Sequence, residues 1–66
     1  MDRSKIAERL AKLRGKRTQA EVAEAIGVSP SAYSMYETGE RIPRDEIKIR
    51  IAKYYGRTVN TIFFAD

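Results

Sequence analysis

Apolar residues recur along the chain at the helical period, within short segments that glycines separate. The glycines stand at positions 15, 27, 39 and 56, and the apolar spacing between them follows about 3.6 residues per turn rather than strand alternation. The pattern therefore predicts five short helices, at 4–14, 18–26, 30–38, 44–55 and from Thr58 onward. The positions expected to face the core of the first four are Ile6, Leu10, Leu13, Val22, Ala23, Ile26, Tyr33, Tyr36, Ile47, Ile51, Tyr54 and Tyr55.

Strong local signals mark the junction between the second and third helices. Thr18 is a good N-cap for the second helix, and Gly27 suits the left-handed position that ends it. Ser29 is then a favourable N-cap, followed by Pro30 at the first helical position. A connection this short forces a steep crossing of the two helices, which predicts a helix-turn-helix unit.

The segment from Ile47 to Ile51 is ambiguous, because its alternating isoleucines would also suit a half-buried strand. We interpret it as helix, since Pro43 precedes it and Gly56 follows it. Ile49 then lies about 200° around the helix from Ile47 and has no evident place in the core.

The composition excludes several classes of function. The chain has 66 residues, with no Cys and no His, so disulfides, thiolate sites and the commonest metal ligand are absent. We expect one domain spanning 1–66, with no metal, no cofactor, no small-molecule substrate and no enzymatic activity. No apolar run approaches the roughly 18 residues of a membrane span, and the charged N-terminal region does not resemble a secretory signal, so we expect a cytoplasmic protein that does not contact a membrane.

Charge is unevenly distributed along the chain. Residues 1–17 hold seven basic and two acidic residues, 18–40 hold four acidic and none basic, and 41–66 hold six basic and three acidic. The net charge of +4 suits a polyanionic partner such as nucleic acid. The predicted helix-turn-helix is thus flanked by basic segments.

The stretch TQAEVAEAIGVSPSAYSMYETGERIP, residues 18–43, resembles the helix-turn-helix of phage repressor and Cro proteins, the Xre-type regulators. Glu37, Gly39, Arg41 and Pro43 match the family signature E-x-G-x-R-x-P, and IAKYYGRTVNTIFF resembles its closing helices. The resemblance implies an all-α, compact five-helix, lambda-repressor-like domain that binds operator DNA. It also implies an ion pair between Arg14 and Glu37 that ties the recognition helix to the scaffold.

The helical period places the small residues of the third helix opposite its two tyrosines. The side chains on this face are small and uncharged, so the helix could approach a major groove closely. The residues expected to read bases are Ser31, Ser34 and Met35, together with Gln19 by its family position. The alternative is that this face is exposed to solvent and contacts no DNA. Residues expected to bind DNA phosphates are Lys16, Arg17, Thr18, Thr38, Arg41 and Arg44.

Relatives of this kind act as dimers on half-sites about 34 Å apart, so we expect a homodimer on a palindromic operator. The apolar residues available for the dimer interface are Ile49, Ile62, Phe63 and Phe64. The alternative is that the aromatic residues among them complete the core of the monomer.

The function predicted is a sequence-specific transcriptional regulator of double-stranded DNA, acting as a repressor and reading the major groove with the helix at about 30–37. The alternative is a protein-interaction module, such as an antitoxin-like partner, that uses the apolar C-terminal face. A steep salt dependence of binding separates the first from the second.

Overall fold

The computed structural model describes residues 1–65 of the chain, and this range contains five helices. They are α1 (Arg3–Arg14), α2 (Gln19–Ile26), α3 (Pro30–Thr38), α4 (Asp45–Tyr55) and a short π-helix, α5 (Asn60–Phe64). Residues 1–65 contain no strand, which confirms the all-helical prediction and the helical interpretation of the isoleucine segment. Within the same range, each helix is too short or too polar to cross a bilayer.

Side-chain caps begin several of these helices. The hydroxyl of Thr18 accepts a hydrogen bond of 3.0 Å from Glu21 N, and that of Ser29 accepts one of 3.1 Å from Ala32 N, as the sequence predicted. The cap of α1 was not predicted: Asp2 Oδ1 accepts from the amides of Ser4 and Lys5 at 2.9 and 3.2 Å. Each cap satisfies backbone donors that have no partner inside the helix.

The turn between α2 and α3 depends on Gly27, whose φ of +79° is left-handed. Its amide donates to Glu24 O at 3.3 Å, and the amide of Val28 donates to Ala23 O at 3.0 Å. These two bonds form a Schellman motif that satisfies the last carbonyls of α2. A side chain at this position would be strained by the positive φ, so glycine fixes the angle at which the chain enters α3.

The core draws apolar residues from all five helices. The buried cluster consists of Ile6, Leu10, Val22, Ala23, Ile26, Tyr33, Tyr36, Ile47, Ile51, Ala52, Ile62 and Phe63. Contacts between helices join α3 to both α1 and α2, α2 to α4, and α1 to α5. The packing on α1 and α2 leaves the opposite side of α3 facing outward.

A charged residue also enters the interior. The side chain of Lys48 is only 7% exposed, and its Nζ lies 3.3 Å from Asp45 Oδ1. The same ammonium lies 5.2 Å from the centre of the Phe64 ring and 6.0 Å from that of Phe63. Lys48 therefore joins α4 to α5 through its charge as well as its aliphatic stem.

Candidate nucleic-acid interface

The two tyrosines of α3 are buried, and this determines which side of the helix faces solvent. Tyr33 and Tyr36 are 0% and 6% exposed, and their rings meet edge to face with centroids 6.3 Å apart. The helical period then turns the other side of α3 to solvent: Ser31 is exposed, and Ser34 and Met35 are partly exposed. The structure thus brings these three predicted base-reading residues together on one accessible face.

An ion pair joins this helix to α1. Arg14 Nε donates to Glu37 Oε2 at 2.7 Å, so the pair that the resemblance implied is present. The Glu37 side chain is 6% exposed, against 24% for Arg14. Burial alone would raise the pKa of Glu37, but hydrogen bonds from Arg14 and Gln19 outweigh that effect and hold the pKa below its usual value. The carboxylate therefore stays charged and anchored near neutral pH.

Gln19 belongs to the same network, because its Nε2 donates to Glu37 Oε1 at 3.1 Å. A carboxylate can only accept, so the amide must turn its nitrogen toward Glu37 and its oxygen elsewhere. Gln19 is partly buried at the first position of α2. Glu37 consequently fixes the orientation of a residue predicted to contact DNA.

Basic residues lie on both sides of the helix-turn-helix. Lys16 and Arg17 are exposed in the loop before α2, and Arg41 and Arg44 are exposed after α3. Arg44 lies 4.0 Å from Glu46, but both side chains are largely exposed, so this pair contributes little to stability.

A groove of about 510 Å³ runs beside α3, and some of these basic residues line it. Ala32 and Tyr36 line its α3 side, and its basic residues are Arg41, Arg44 and Arg50. Arg50 was not predicted as part of the site, because its place in the middle of α4 gives no local signal that it reaches the turn. Its Nη1 donates to Ile26 O at 3.4 Å, which also caps the end of α2.

The two threonines predicted to bind phosphate have different surroundings. The Thr18 hydroxyl accepts from Glu21 N, which leaves its own proton able to bond to an anion. The Thr38 hydroxyl instead lies 3.1 Å from Met35 O and 2.9 Å from Glu40 Oε1. The nearby carboxylate makes Thr38 the less favourable phosphate ligand of the two.

The predicted dimer interface needs correction. Ile62 and Phe63 are 2% and 1% exposed, because α5 packs against α1 and buries them in the core, so their assignment to the interface was wrong. Ile49 and Phe64 remain 55% and 49% exposed. The alternative that aromatic residues complete the core therefore holds for Phe63 but not for Phe64.

Arg9 was missed by the sequence analysis altogether. Its Nη1 donates to Ile62 O at 2.8 Å and its Nη2 to Ala65 O at 2.6 Å. These bonds hold the C-terminal segment against α1 and use carbonyls more than 50 residues away in the chain. Within residues 1–65 the structure shows no group of three or more acidic side chains that could hold a metal ion.

Comparison with known proteins identifies the same helix-turn-helix arrangement. The helix-turn-helix family profile matches residues 5–62. The cryptic phage CTXphi transcriptional repressor RstR of Vibrio cholerae is 46% identical over 50 residues, which are 73% of this chain and 45% of that protein. The chain thus spans less than half the length of that relative.

Among solved structures, the SOS-response transcriptional repressor LexA from Eubacterium rectale superposes with a TM-score of 0.82. The alignment has 29% sequence identity and covers 92% of this chain and 69% of that one. The similarity therefore includes nearly all of the five-helix arrangement described above.

Proposed function

The chain belongs to the helix-turn-helix family, and we propose that it is a sequence-specific, double-stranded DNA-binding transcriptional repressor. The observation that carries the proposal is the accessible face of α3, whose side chains are uncharged and mostly short. The opposite side of the helix is buried, and the Arg14–Glu37 ion pair joins α3 to α1, so this face is held outward. An α-helix fits the major groove, about 12 Å wide, and short side chains permit close approach. The protein acts in the cytoplasm by binding alone, without enzymatic chemistry.

Base readout is assigned to the α3 face and to Gln19. The hydroxyls of Ser31 and Ser34 can donate to or accept from base edges, and Met35 can contact a thymine methyl. Gln19 presents its amide oxygen while Glu37 holds the nitrogen, so it can accept from a donor on DNA. None of the α3 residues offers a bidentate contact, so specificity is distributed over several weak contacts.

Phosphate contacts are assigned to the basic flanks. On one side of α3 the DNA backbone is contacted by Lys16, Arg17 and Thr18. On the other side it is contacted by Arg41 and Arg44, with Thr38 as a weaker contributor. Such contacts fix the register of the protein on the duplex without reading sequence. They also account for the basic segments on either side of positions 18–40.

Repression follows from occupancy, since a protein bound over a promoter blocks polymerase without a further contact. Both relatives described above are named as transcriptional repressors. The direction of regulation in this chain is proposed on that similarity.

We also propose that the protein binds a palindromic operator as a homodimer. Its backbone extends 27 Å along the longest principal axis, less than the helical turn of about 34 Å that separates half-sites. Two copies are needed to span such a site. The remaining apolar surface, Ile49 and Phe64, is the candidate contact between them.

The rival function, a protein-interaction module using the apolar C-terminal face, has less surface than its sequence suggested. Ile62 and Phe63 are in the core, which leaves Ile49 and Phe64 as its large apolar residues.

Selection of bound sites from random duplexes, followed by affinity measurements over a salt series, tests the proposal. We expect a selected duplex to bind on the order of a thousandfold more tightly than a scrambled one. We also expect log K to fall with log salt by about 0.9 for each phosphate neutralised. Equal affinity for both duplexes would contradict sequence-specific binding, and an affinity insensitive to salt would favour the rival.

A further inference from the structure

The guanidinium of Arg17 lies against two aromatic rings of α4. Its central carbon is 5.3 Å from the centre of the Tyr54 ring and 5.6 Å from that of Tyr55. Both distances are within the roughly 6 Å over which a cation is attracted to a ring face. An exposed loop residue is therefore held by a helix that begins nearly thirty residues later in the chain.

The backbone of Arg17 is fixed as well. Its amide donates to Arg14 O at 3.1 Å, and its carbonyl accepts from Arg14 Nη1 at 2.7 Å. The same Arg14 side chain donates through Nε to Glu37 on α3. One guanidinium thus connects the loop backbone at residue 17 directly to the outward helix.

The two rings have fixed positions of their own. Tyr54 and Tyr55 meet edge to face with centroids 5.1 Å apart, and the Tyr55 hydroxyl lies 2.7 Å from that of the fully buried Tyr33. A continuous set of contacts therefore runs from Arg17 through Tyr55 to the core side of α3. Arg17 and the α3 face share one rigid support.

Contact with aromatic rings differs from an ion pair because it leaves the positive charge of the guanidinium available to an anionic ligand. A ring face attracts the guanidinium without neutralising its charge, whereas a carboxylate would compete with any anionic ligand. The ion pairs found within residues 1–65 involve Arg14, Arg44 and Lys48, and none includes Arg17. Arg17 Nη1 donates to Leu13 O at 3.4 Å, so the guanidinium, which lies at an exposed position, keeps further N–H donors for an anionic ligand.

Lys48 provides an internal contrast. It too lies near two rings, but its ammonium is paired with Asp45 and its side chain is 7% exposed. That combination stabilises the fold and leaves no charge for a ligand. The same type of cation–ring contact therefore serves a different purpose at Arg17.

We infer that Tyr54 and Tyr55 are positioning residues that orient Arg17 to bind a DNA phosphate at a fixed distance from the base-reading face of α3. This inference rests on the proposed function. A free arginine side chain loses rotamer entropy when it is immobilised. The rings restrict Arg17 before DNA arrives, so less of that entropy is lost on binding.

The test uses Tyr54→Leu, which removes the ring but keeps apolar volume, and Tyr54→Phe, which restores the ring. Each is made in the wild-type and Arg17→Ala backgrounds, and affinity for a selected duplex is measured over a salt series. We expect Tyr54→Leu to weaken binding about two- to fivefold in the wild-type background. We expect no further loss when Arg17 is already alanine, and Tyr54→Phe should recover wild-type affinity.

A second readout needs no DNA. In the free protein, the Arg17 side-chain protons should show ring-current shifts that are lost in Tyr54→Leu and retained in Tyr54→Phe, with thermal unfolding reporting that each variant folds. Equal losses from Tyr54→Leu in both backgrounds, or unshifted Arg17 protons in the wild type, would overturn the positioning role. If the wild type binds no selected duplex at all, the proposed function fails and the positioning role fails with it.

Discussion

The hydroxyl oxygens of Tyr33 and Tyr55 lie 2.7 Å apart and join α3 to α4. Tyr33 is fully buried, so its hydroxyl depends on neighbours in the protein, the Tyr55 hydroxyl and the Glu37 carboxylate, for its hydrogen bonds. Burial, the largest effect, raises the pKa of both tyrosines, which keeps both hydroxyls protonated and able to share a hydrogen bond.

Tyr55→Phe should therefore destabilise the protein by about 1–3 kcal/mol, because it removes a hydrogen-bond partner of the buried Tyr33 hydroxyl. Combining it with Tyr33→Phe should destabilise by less than the sum of the two single changes, since no unpaired hydroxyl remains. Urea unfolding of the four proteins measures this. Additive effects would show that the two hydroxyls do not interact.

Glu37→Ala should lower the free energy of unfolding by about 1.5–3 kcal/mol, since it removes a buried acceptor of charge-assisted hydrogen bonds from Arg14 and Gln19. At a temperature where the variant is folded, the ratio of its affinities for selected and scrambled duplexes should fall only modestly, because Gln19 loses the bond that orients its amide while the α3 face keeps its side chains. A fully folded variant that has lost operator preference would contradict the scaffold role of Glu37.

Stability should depend on acid pH through Glu37. Its folded pKa is below the unfolded value, so its contribution is fully present above the unfolded pKa and is lost as pH falls through the folded pKa. The stability difference between wild type and Glu37→Gln should therefore be largest near neutral pH and shrink as pH falls below about 4.3. Chemical denaturation at several pH values measures it, and a constant difference would show that Glu37 is not the group that titrates.

Substitutions on the two proposed parts of the DNA interface should have distinguishable effects. Ser31→Ala or Ser34→Ala should change which duplex is preferred, because we propose that these hydroxyls contact bases. Arg41→Ala should weaken binding to all duplexes and reduce the salt slope by about 1, because it removes a proposed phosphate contact. Equal losses on selected and random DNA for the serine variants would refute their base-reading role.

Disruption of the remaining apolar surface tests the homodimer. Phe64→Asp or Ile49→Asp should leave the monomer folded, since about half of each side chain is already exposed, but should abolish self-association and weaken operator binding. Ile49→Val keeps the surface apolar and serves as the matched control. Sedimentation velocity with and without operator measures the assembly. A wild type that stays monomeric at high concentration in both conditions would exclude the dimer.

Much of the fold follows from local signals in the sequence. Ser29, Pro30 and Gly27 act on the backbone within a few residues of themselves, so the bounds of α3 and the turn before it could be predicted. Helical periodicity also placed Ile49 outside the core, where the structure has it 55% exposed.

The features that were missed depend on tertiary contacts. The apolar residues Ile62, Phe63 and Phe64 are consecutive in a segment too short for periodicity to select a face, so the burial of Ile62 and Phe63 is decided by packing against α1. Arg9 and Arg17 bind groups far along the chain, and nothing near them in the sequence marks those partners. The Arg14–Glu37 pair came from family resemblance, because two charges 23 positions apart carry no signal alone.

Amide chemical-shift mapping during titration with a selected duplex tests the central claim most directly. If α3 enters the major groove, the largest changes should fall on Ser31, Ser34 and Met35, with further changes at Lys16 and Arg17. Changes confined to the region of Ile49 and Phe64, with α3 unaffected, would show that this helix does not read DNA.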